Sequence, residues 1–268
     1  MIAAYDNLGD YPESLFMIVL FTDFGIHGPY TGQMKAVLLG RAPDVPLVDL
    51  LCDAPAFDPR ASSYLLAAYS MIDAFPPGTV FLCVVDPGVG SNRDGLMINA
   101  DGRWYVGPDN GLFEIVMRRA DGVTAWRIGL PLEEVSATFH GRDIFAPAAA
   151  GLATGQGPKD AGAGRLMRRD AVMHFPWPDD LAEVVYVDSY GNVVTGIRAK
   201  GVISGSNLHI ESMENRTISR AQTFSDVSPG HAFWYENSCG LIEVAVNGGH
   251  AADILGLHIG LRAWLSTD

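Results

Sequence analysis

The stretch VVDPGVGSNR, residues 84–93, brings a carboxylate, Asp86, to the end of an apolar run, follows it with Pro87, Gly88 and Gly90, and closes on Arg93. The glycines permit positive φ and close backbone approach, which an ordinary loop can also need. An ordinary turn aspartate capping nearby N–H groups would explain Asp86 alone. A second apolar run, VLFTDFG, also ends on an aspartate, Asp23, and ligands of open α/β sheets gather at the carboxyl ends of strands, so the pair points to a site. His140, in FHGRDIFAP, is of the type that serves as general base or positioning group near neutrality. Its plainer reading is a turn histidine, with Arg142 and Asp143 pairing locally as a helix begins. VDSYGN sets Asp188, Tyr190 and Asn192 around a glycine; a hairpin turn accounts for the Gly-Asn pair but not for Asp188 and Tyr190. In YENSCG, Asn237 and Ser238 can bond a polar ligand or equally organise a turn.

These groups need a scaffold. LFMIVLFTDFG (15–25), ASSYLLAAYSMIDAF (61–75) and GTVFLCVVDPGVG (78–90) alternate short β-type runs with longer helical ones. GPYTGQMKAVLLGRAP (28–43) carries Met34, Val37 and Leu38 at helical spacing before a Gly-x-x-Pro stop. The pattern predicts an α/β domain over 16–173, a sheet flanked by helices. Pro59 suits the first turn of the second helix. HFPWPDD, 174–180, reads as a linker, because its prolines and acidic turn residues oppose regular structure. Beyond it, LAEVVYVDSYGNVVTGI, HAFWYENSCG and LIEVAVN are short alternating runs broken by Gly, Asn and Ser, so 181–268 should be a mainly β domain. Residues 1–15 read as an irregular arm.

Composition limits what such a protein does. The chain has 268 residues, 48% of them hydrophobic, enough to bury a substantial core. With 18 basic and 31 acidic residues the net charge is −13, which repels phosphate backbones and anionic membrane surfaces; no nucleic-acid or membrane partner is expected. Cys52, Cys83 and Cys239 are odd in number and never spaced as CxxC, so neither a disulfide framework nor a zinc site is indicated, and a cytoplasmic location is expected. The chain shows no signal-peptide pattern at its start and no run of about 18 apolar residues to span a membrane.

In combination the motifs say more. TDFG with a following GQMK, FP-x-GTV-x-x-x-VVDPGVG-x-x-R, PDNGL (108–112), HGRDIFAPAAA, VDSYGN and NS-x-GL-x-E-x-A-x-N (237–247) occur in one order from about residue 16 to near the C-terminus. In that order they resemble the S-adenosyl-L-methionine (SAM) hydroxide adenosyltransferases, adenosine-forming SAM hydrolases related to SAM-dependent fluorinases and chlorinases. The resemblance implies a mixed sheet in the N-terminal domain, a smaller C-terminal β-barrel, and a homotrimer with SAM sites between the N-domain of one subunit and the C-domain of its neighbour. It implies that Asp86, Arg93 and His140 hold the attacking water and that Asp23 bonds the ribose 2′- and 3′-hydroxyls. Phe57 would lie near ribose and adenine, Asp188 engage the methionine ammonium, Tyr190 pack on adenine and Asn192 read its edge. Ser238 would meet the methionine carboxylate, and backbone groups around Asn247 and Gly248 the adenine, with Phe224 as a further stacking residue.

The implied chemistry is physically economical. Oxygen attacking C5′ in line with the C5′–S bond expels methionine as a neutral thioether, so neither an acid for the leaving group, nor a metal, nor a cofactor besides the substrate SAM is expected. The protein must supply a dehydrated, oriented and polarised water. The fluorinase has Tyr-Ser where this chain has His140-Gly141, and the halogenases lack the Asp/Arg/His set, which argues for water over halide. An arginine of the fluorinase is replaced here by Cys239, and Cys52, standing where many relatives carry histidine, is expected to be a small buried thiol. The alternatives are a halogenase forming 5′-halo-5′-deoxyadenosine, a SAM or adenosine binding module without turnover, and an Asp/His metallohydrolase, which would need a denser ligand cluster than the chain offers.

Overall fold

The computed structural model describes residues 16–129, 135–167, 172–213 and 216–267; the arm expected over 1–15 lies outside them. By packing, the chain divides into two compact units. The first holds the described residues up to Asp53, with Asp73–Asn110 and Ala120–Met173; the second holds Ala54–Ile72, Gly111–Arg119 and the residues from His174 onward. Packing therefore removes two segments from the continuous α/β stretch that the linear reading drew over 16–173. The helices are α1 (Tyr30–Arg41), α2 (Pro59–Ser70), α3 (Glu114–Arg119), α4 (Ala146–Ala153) and α5 (Ala251–Leu255).

The first unit is built on seven strands, β1 (Ile18–Thr22), β2 (Leu47–Leu51), β3 (Val80–Val84), β4 (Gly95–Ala100), β5 (Arg103–Pro108), β6 (Val123–Ile128) and β7 (Ala163–Met167), in the order β2-β1-β3-β5-β4-β6-β7. The sheet is mixed. β1 pairs in parallel with β2 and β3, and β3 with β5, whereas β4 runs antiparallel between β5 and β6 and β7 antiparallel to β6. IVLFT of β1 and VFLCV of β3 are buried end to end, as strands covered on both faces must be. Ile18, Leu20, Val80, Leu82 and Val84 share a core with Met34 and Leu38 of α1 and the alanines of α4. Periodicity does not announce β4 to β7, since GLMINA and RWYVGP lack clean alternation and become strands through their pairing. Thr22 of β1 lies opposite Val84 of β3. β1 has β2 on one side and β3 on the other, and such a reversal of strand order opens a crevice at the carboxyl ends. Asp23 and Asp86 follow those two ends.

In the second unit the strands are β8 (Leu181–Val187), β9 (Val193–Arg198), β10 (Asn207–Ile210), β11 (Ala232–Glu236), β12 (Leu241–Val246) and β13 (Ala263–Ser266). They form two separate antiparallel sheets among the described residues, β11-β12-β9-β8 and β10-β13. The mainly β expectation holds at that level. α2 and α3 pack on each other, and α2 on β8. α2 starts where Asp58 accepts the Ala61 N–H at 2.9 Å and Pro59 takes the first turn, where no N–H partner is needed. Residues 174–180 contain no regular element, belong to the second unit, and are held to α3 by Arg118, which donates to the carbonyls of Trp177 (2.7 Å) and Phe175 (3.2 Å). Trp234 is fully buried with Val193, Ile242, Val244 and Leu208, and its indole N–H donates to the Ser206 carbonyl at 3.2 Å. No helix among the described residues is long and apolar enough to cross a membrane.

Candidate active site

After β3 the chain turns tightly. The Val89 N–H donates to the Asp86 carbonyl (3.3 Å) and the Ser91 N–H to the Gly88 carbonyl (3.0 Å). Gly90 adopts φ +80°, and a Cβ there would come within 2.7 Å of the Ala137 carbonyl oxygen, so the position admits only glycine. Gly88 is less constrained, its nearest neighbour to an added Cβ being Ser91 Oγ at 3.4 Å. Asn110, from PDNGL, fixes the strand end by donating Nδ2 to the Val85 carbonyl at 2.8 Å, a positioning role that the sequence motif did not disclose.

That turn folds Arg93 back over Asp86. Nε donates to Oδ1 at 2.9 Å and Nη2 to Oδ2 at 2.5 Å, the other Nη2 hydrogen reaches His140 Nδ1 at 2.8 Å, and Nη1 donates to the Asp94 carbonyl at 3.2 Å. The Arg93 and Asp86 side chains are only 8% and 4% exposed, and the guanidinium lies 5.1 Å from the centre of the Phe145 ring. Three residues from separate motifs thus converge. A guanidinium can only donate, so His140 Nδ1 must offer a lone pair and the neutral ring carries its proton on Nε2. Burial pushes the His140 pKa down, and the Arg93 charge adds to this against smaller opposing effects of Asp86 and Asp143. The imidazole is therefore neutral at neutral pH.

His140 leads into a π-helical turn, Gly141–Phe145, that continues as α4, a geometry often found at functional sites. Asp143 steadies this turn by accepting the Ser136 N–H at 3.1 Å and a two-pronged contact from Arg142 at 2.6 and 2.9 Å. Those contacts, Arg142 foremost, hold its carboxyl below the ordinary range. The local pairing expected of Arg142 and Asp143 is present, and it coexists with a His140 turned toward Arg93.

In the second unit Asp188 organises the turn between β8 and β9. Oδ1 accepts the N–H groups of Tyr190 (2.9 Å) and Asn192 (2.8 Å), Oδ2 accepts Asn192 Nδ2 (3.1 Å), and Gly191 sits at φ +83°. A carboxylate has about four acceptor positions, so Oδ2 keeps one for a ligand. Asn192 commits an amide donor to Asp188 and keeps Oδ1 as an acceptor. Tyr190, 79% exposed, lines with Asn192, Phe224, Gly248 and His250 an open cavity of about 610 Å³, an ordinary size for a small-molecule site. Phe224 stands edge-on to Phe233 and Tyr235, with centroids 4.9 and 5.6 Å away. Asn247 holds it from behind, donating Nδ2 to the carbonyls of Phe224 (3.1 Å) and Val227 (2.6 Å). His250 is a lining residue that sequence reasoning missed; a single histidine after two glycines carries no motif.

The β11–β12 hairpin presents Ser238 at an exposed turn. Asn237 Oδ1 accepts the N–H groups of Cys239 and Leu241, each at 3.0 Å, and its Nδ2 donates to Glu243 Oε2 at 2.9 Å. The other oxygen of the buried Glu243 takes the Tyr235 hydroxyl; burial and this bond raise the Tyr235 pKa, so the phenol stays protonated. Asn237 is thus a turn organiser. Ser238 does not line the 610 Å³ cavity, nor does Phe57, which lies in the second unit, 77% exposed at φ +61°. That conformation is costly for a bulky side chain and marks a constrained position. Asp23 belongs to the first unit, its N–H bonded to the Val84 carbonyl at 3.3 Å. Cys52 corrects an expectation: it is half-buried rather than buried, and desolvation with the charges of Asp53 and Asp49 raises its pKa, leaving an unreactive thiol. Among the described residues no three His, Cys, Asp or Glu side chains are grouped to hold a metal.

Comparison with known proteins follows the same division. Residues 18–162 match the SAM hydroxide adenosyltransferase N-terminal domain and residues 182–263 its C-terminal domain. A Thermus thermophilus protein named (R)-S-adenosyl-L-methionine hydrolase is 37% identical, over 91% of this chain and 97% of that protein. A Nocardia brasiliensis fluorinase is 26% identical over 91% and 95% of the two chains. The crystal structure of an uncharacterized conserved protein from Thermotoga maritima superposes with a TM-score of 0.81 at 30% identity, covering 94% of this chain and 100% of that one.

Proposed function

The chain belongs to the SAM hydroxide adenosyltransferase family, and from that premise we propose that Asp86, Arg93 and His140 hold a water for in-line attack on C5′ of SAM. The enzyme hydrolyses SAM to adenosine and L-methionine. A C5′–O bond forms as C5′–S breaks, the electron pair leaves on the sulfur of a neutral thioether, and one proton is released. Since sulfur departs uncharged, the residues need only prepare the nucleophile, and no metal takes part.

The observation that carries this reading is the buried, fully oriented Asp86–Arg93–His140 set. Its hydrogen bonding supports distinct roles. Arg93 keeps Asp86 ionised and aligned; Asp86 accepts from the water and is the site of proton transfer. His140, in the Nε2–H tautomer, presents a donor rather than a lone pair and orients the water oxygen. Held in a buried site, these charges and dipoles act with little reorganisation. On the binding side, the spare acceptors of Asp188 and Asn192 suit the methionine ammonium and the adenine amino group, and the exposed faces of Tyr190 and Phe224 suit the base. Asp23 takes the ribose hydroxyls, Phe57 the ribose and adenine, Ser238 the methionine carboxylate, and the backbone at Asn247 and Gly248 the base.

The assembly is a cytoplasmic homotrimer with its sites at subunit interfaces, which light scattering and subunit-mixing experiments test. Isolated bridges between Glu183 and Arg262, Leu208 and Ile218, and Arg220 and Trp234 support reading the two C-terminal sheets as parts of one barrel. The decisive assay incubates the protein with each sulfonium epimer of SAM in chelator and without halide. The relatives' name specifies R, so the epimers are kept separate. Equimolar adenosine and methionine are expected. A 5′-chloro nucleoside appearing only with chloride, or tight binding without methionine release, would overturn hydrolysis.

A further inference from the structure

The turn that carries Asp188, Tyr190 and Asn192 is joined to another by His250. The Ala252 N–H donates to the Gly191 carbonyl at 2.9 Å. The imidazole packs on the bare face of Gly191, where a Cβ would fall 2.2 to 2.4 Å from three ring atoms. At the start of α5, His250 Nδ1 accepts the Asp253 N–H at 3.3 Å, and the Asp253 carboxylate lies 3.1 Å from the same nitrogen. No bond is made to Nε2 among the described residues. The ring therefore faces two demands, a local one met at Nδ1 and another still open on the cavity it lines.

With Nδ1 accepting the Asp253 N–H, its one hydrogen bond among the described residues, the neutral ring has its proton on Nε2, and a ring protonated beside the Asp253 carboxylate carries one there as well, so Nε2 donates in both of these states. Across the same cavity Asn192 offers the opposite, since its Nδ2 is committed to Asp188 and Oδ1 remains an acceptor. Adenine carries the complement of that pair: an exocyclic amino donor flanked by ring-nitrogen acceptors, N1 on one side and N7 on the other. We propose that His250 is a specificity-determining residue, donating from Nε2 to a ring nitrogen of the adenine whose amino group Asn192 accepts. The proposal rests on the hydrolase reading above. It makes the site selective for 6-amino over 6-oxo purines, because a 6-oxo group would face the Asn192 acceptor with a second acceptor.

Calorimetric titration of wild type, His250→Phe and His250→Asn with adenosine, 1-deazaadenosine and 7-deazaadenosine tests it. Wild type should bind one deaza analogue about tenfold more weakly than adenosine, the range of a single hydrogen bond. Both variants should bind adenosine about tenfold more weakly than wild type and no longer distinguish it from that analogue. In turnover, KM for SAM should rise in parallel while kcat stays within about twofold. Asparagine can still accept the Asp253 N–H as a helix cap but lacks the reach into the cavity. Recovery of affinity in His250→Asn alone would assign the histidine to capping and overturn the proposal, as would equal adenosine affinity in wild type and His250→Phe. A wild-type protein that neither binds adenosine nor releases it from SAM would instead overturn the hydrolase reading, and this inference with it.

Discussion

The Asp86 cluster and the Tyr190 cavity are built on opposite plans. Around Asp86 the charged groups are buried and bonded to one another, and a bidentate guanidinium sets the geometry. Around Tyr190 the rings are exposed, and turns stabilised by Asp188 and Asn247 place them. The difference matches the two kinds of work proposed for them. Polarising a water benefits from low dielectric and fixed dipoles. Recognising a ligand needs surface and unspent hydrogen-bonding capacity, which Asp188 Oδ2, Asn192 Oδ1 and His250 Nε2 retain.

The contrast is best broken at Arg93. Arg93→Ala leaves Asp86 buried without its cation and releases the His140 tautomer, so turnover should fall by about 10³-fold and stability by about 3–5 kcal/mol, read by adenosine release and thermal unfolding. Loss of stability with kcat intact would separate the ion pair from the chemistry. His140→Ala should lower kcat by about 10²-fold while KM moves less than about threefold; a KM effect alone would move the histidine to the binding side. On that side, Asp23→Ala should raise KM about tenfold with kcat nearly unchanged. Glu243→Gln is subtler: an amide facing Asn237 Nδ2 loosens the Ser238 turn, and product inhibition by methionine should weaken by about threefold with adenosine inhibition unaltered. Equal weakening of both would mean that the whole hairpin had moved.

The smallest expected effect is on pH dependence. The lowered His140 pKa means that the folded protein holds this ring neutral at pH values where the unfolded chain, near its ordinary value of about 6.5, protonates it. The unfolded state then binds more protons, so stability declines as pH falls from about 6.5 toward the folded-state pKa, and His140→Ala should flatten that slope. kcat/KM should accordingly hold through pH 6.5 and drop only below it; an acid limb above that value would show that His140 is not held neutral.

Legibility differed between the two regions for a physical reason. The Asp86 turn is local: Arg93 lies seven positions after Asp86, and glycine at position 90 follows from a positive φ. The parallel strands β1 and β3 were visible as unbroken apolar runs. β4 to β7 were not, since pairing defines them more than pattern does. Cys52 was misjudged because residue type speaks only to average burial, and His250 had no motif at all.

By itself the sequence determined the α/β character of the N-terminal part, the mainly β character of the C-terminal part and the family, because apolar periodicity, turn glycines and ordered motifs are properties of short stretches. Tertiary structure alone decided that His140, 47 positions from Arg93, meets its guanidinium at 2.8 Å and which nitrogen carries the proton. It also decided that α2 and α3 pack in the second unit and that His250 joins the Asn192 cavity. Hydrogen bonds and burial depend on distance in space, and separation along the chain does not encode it.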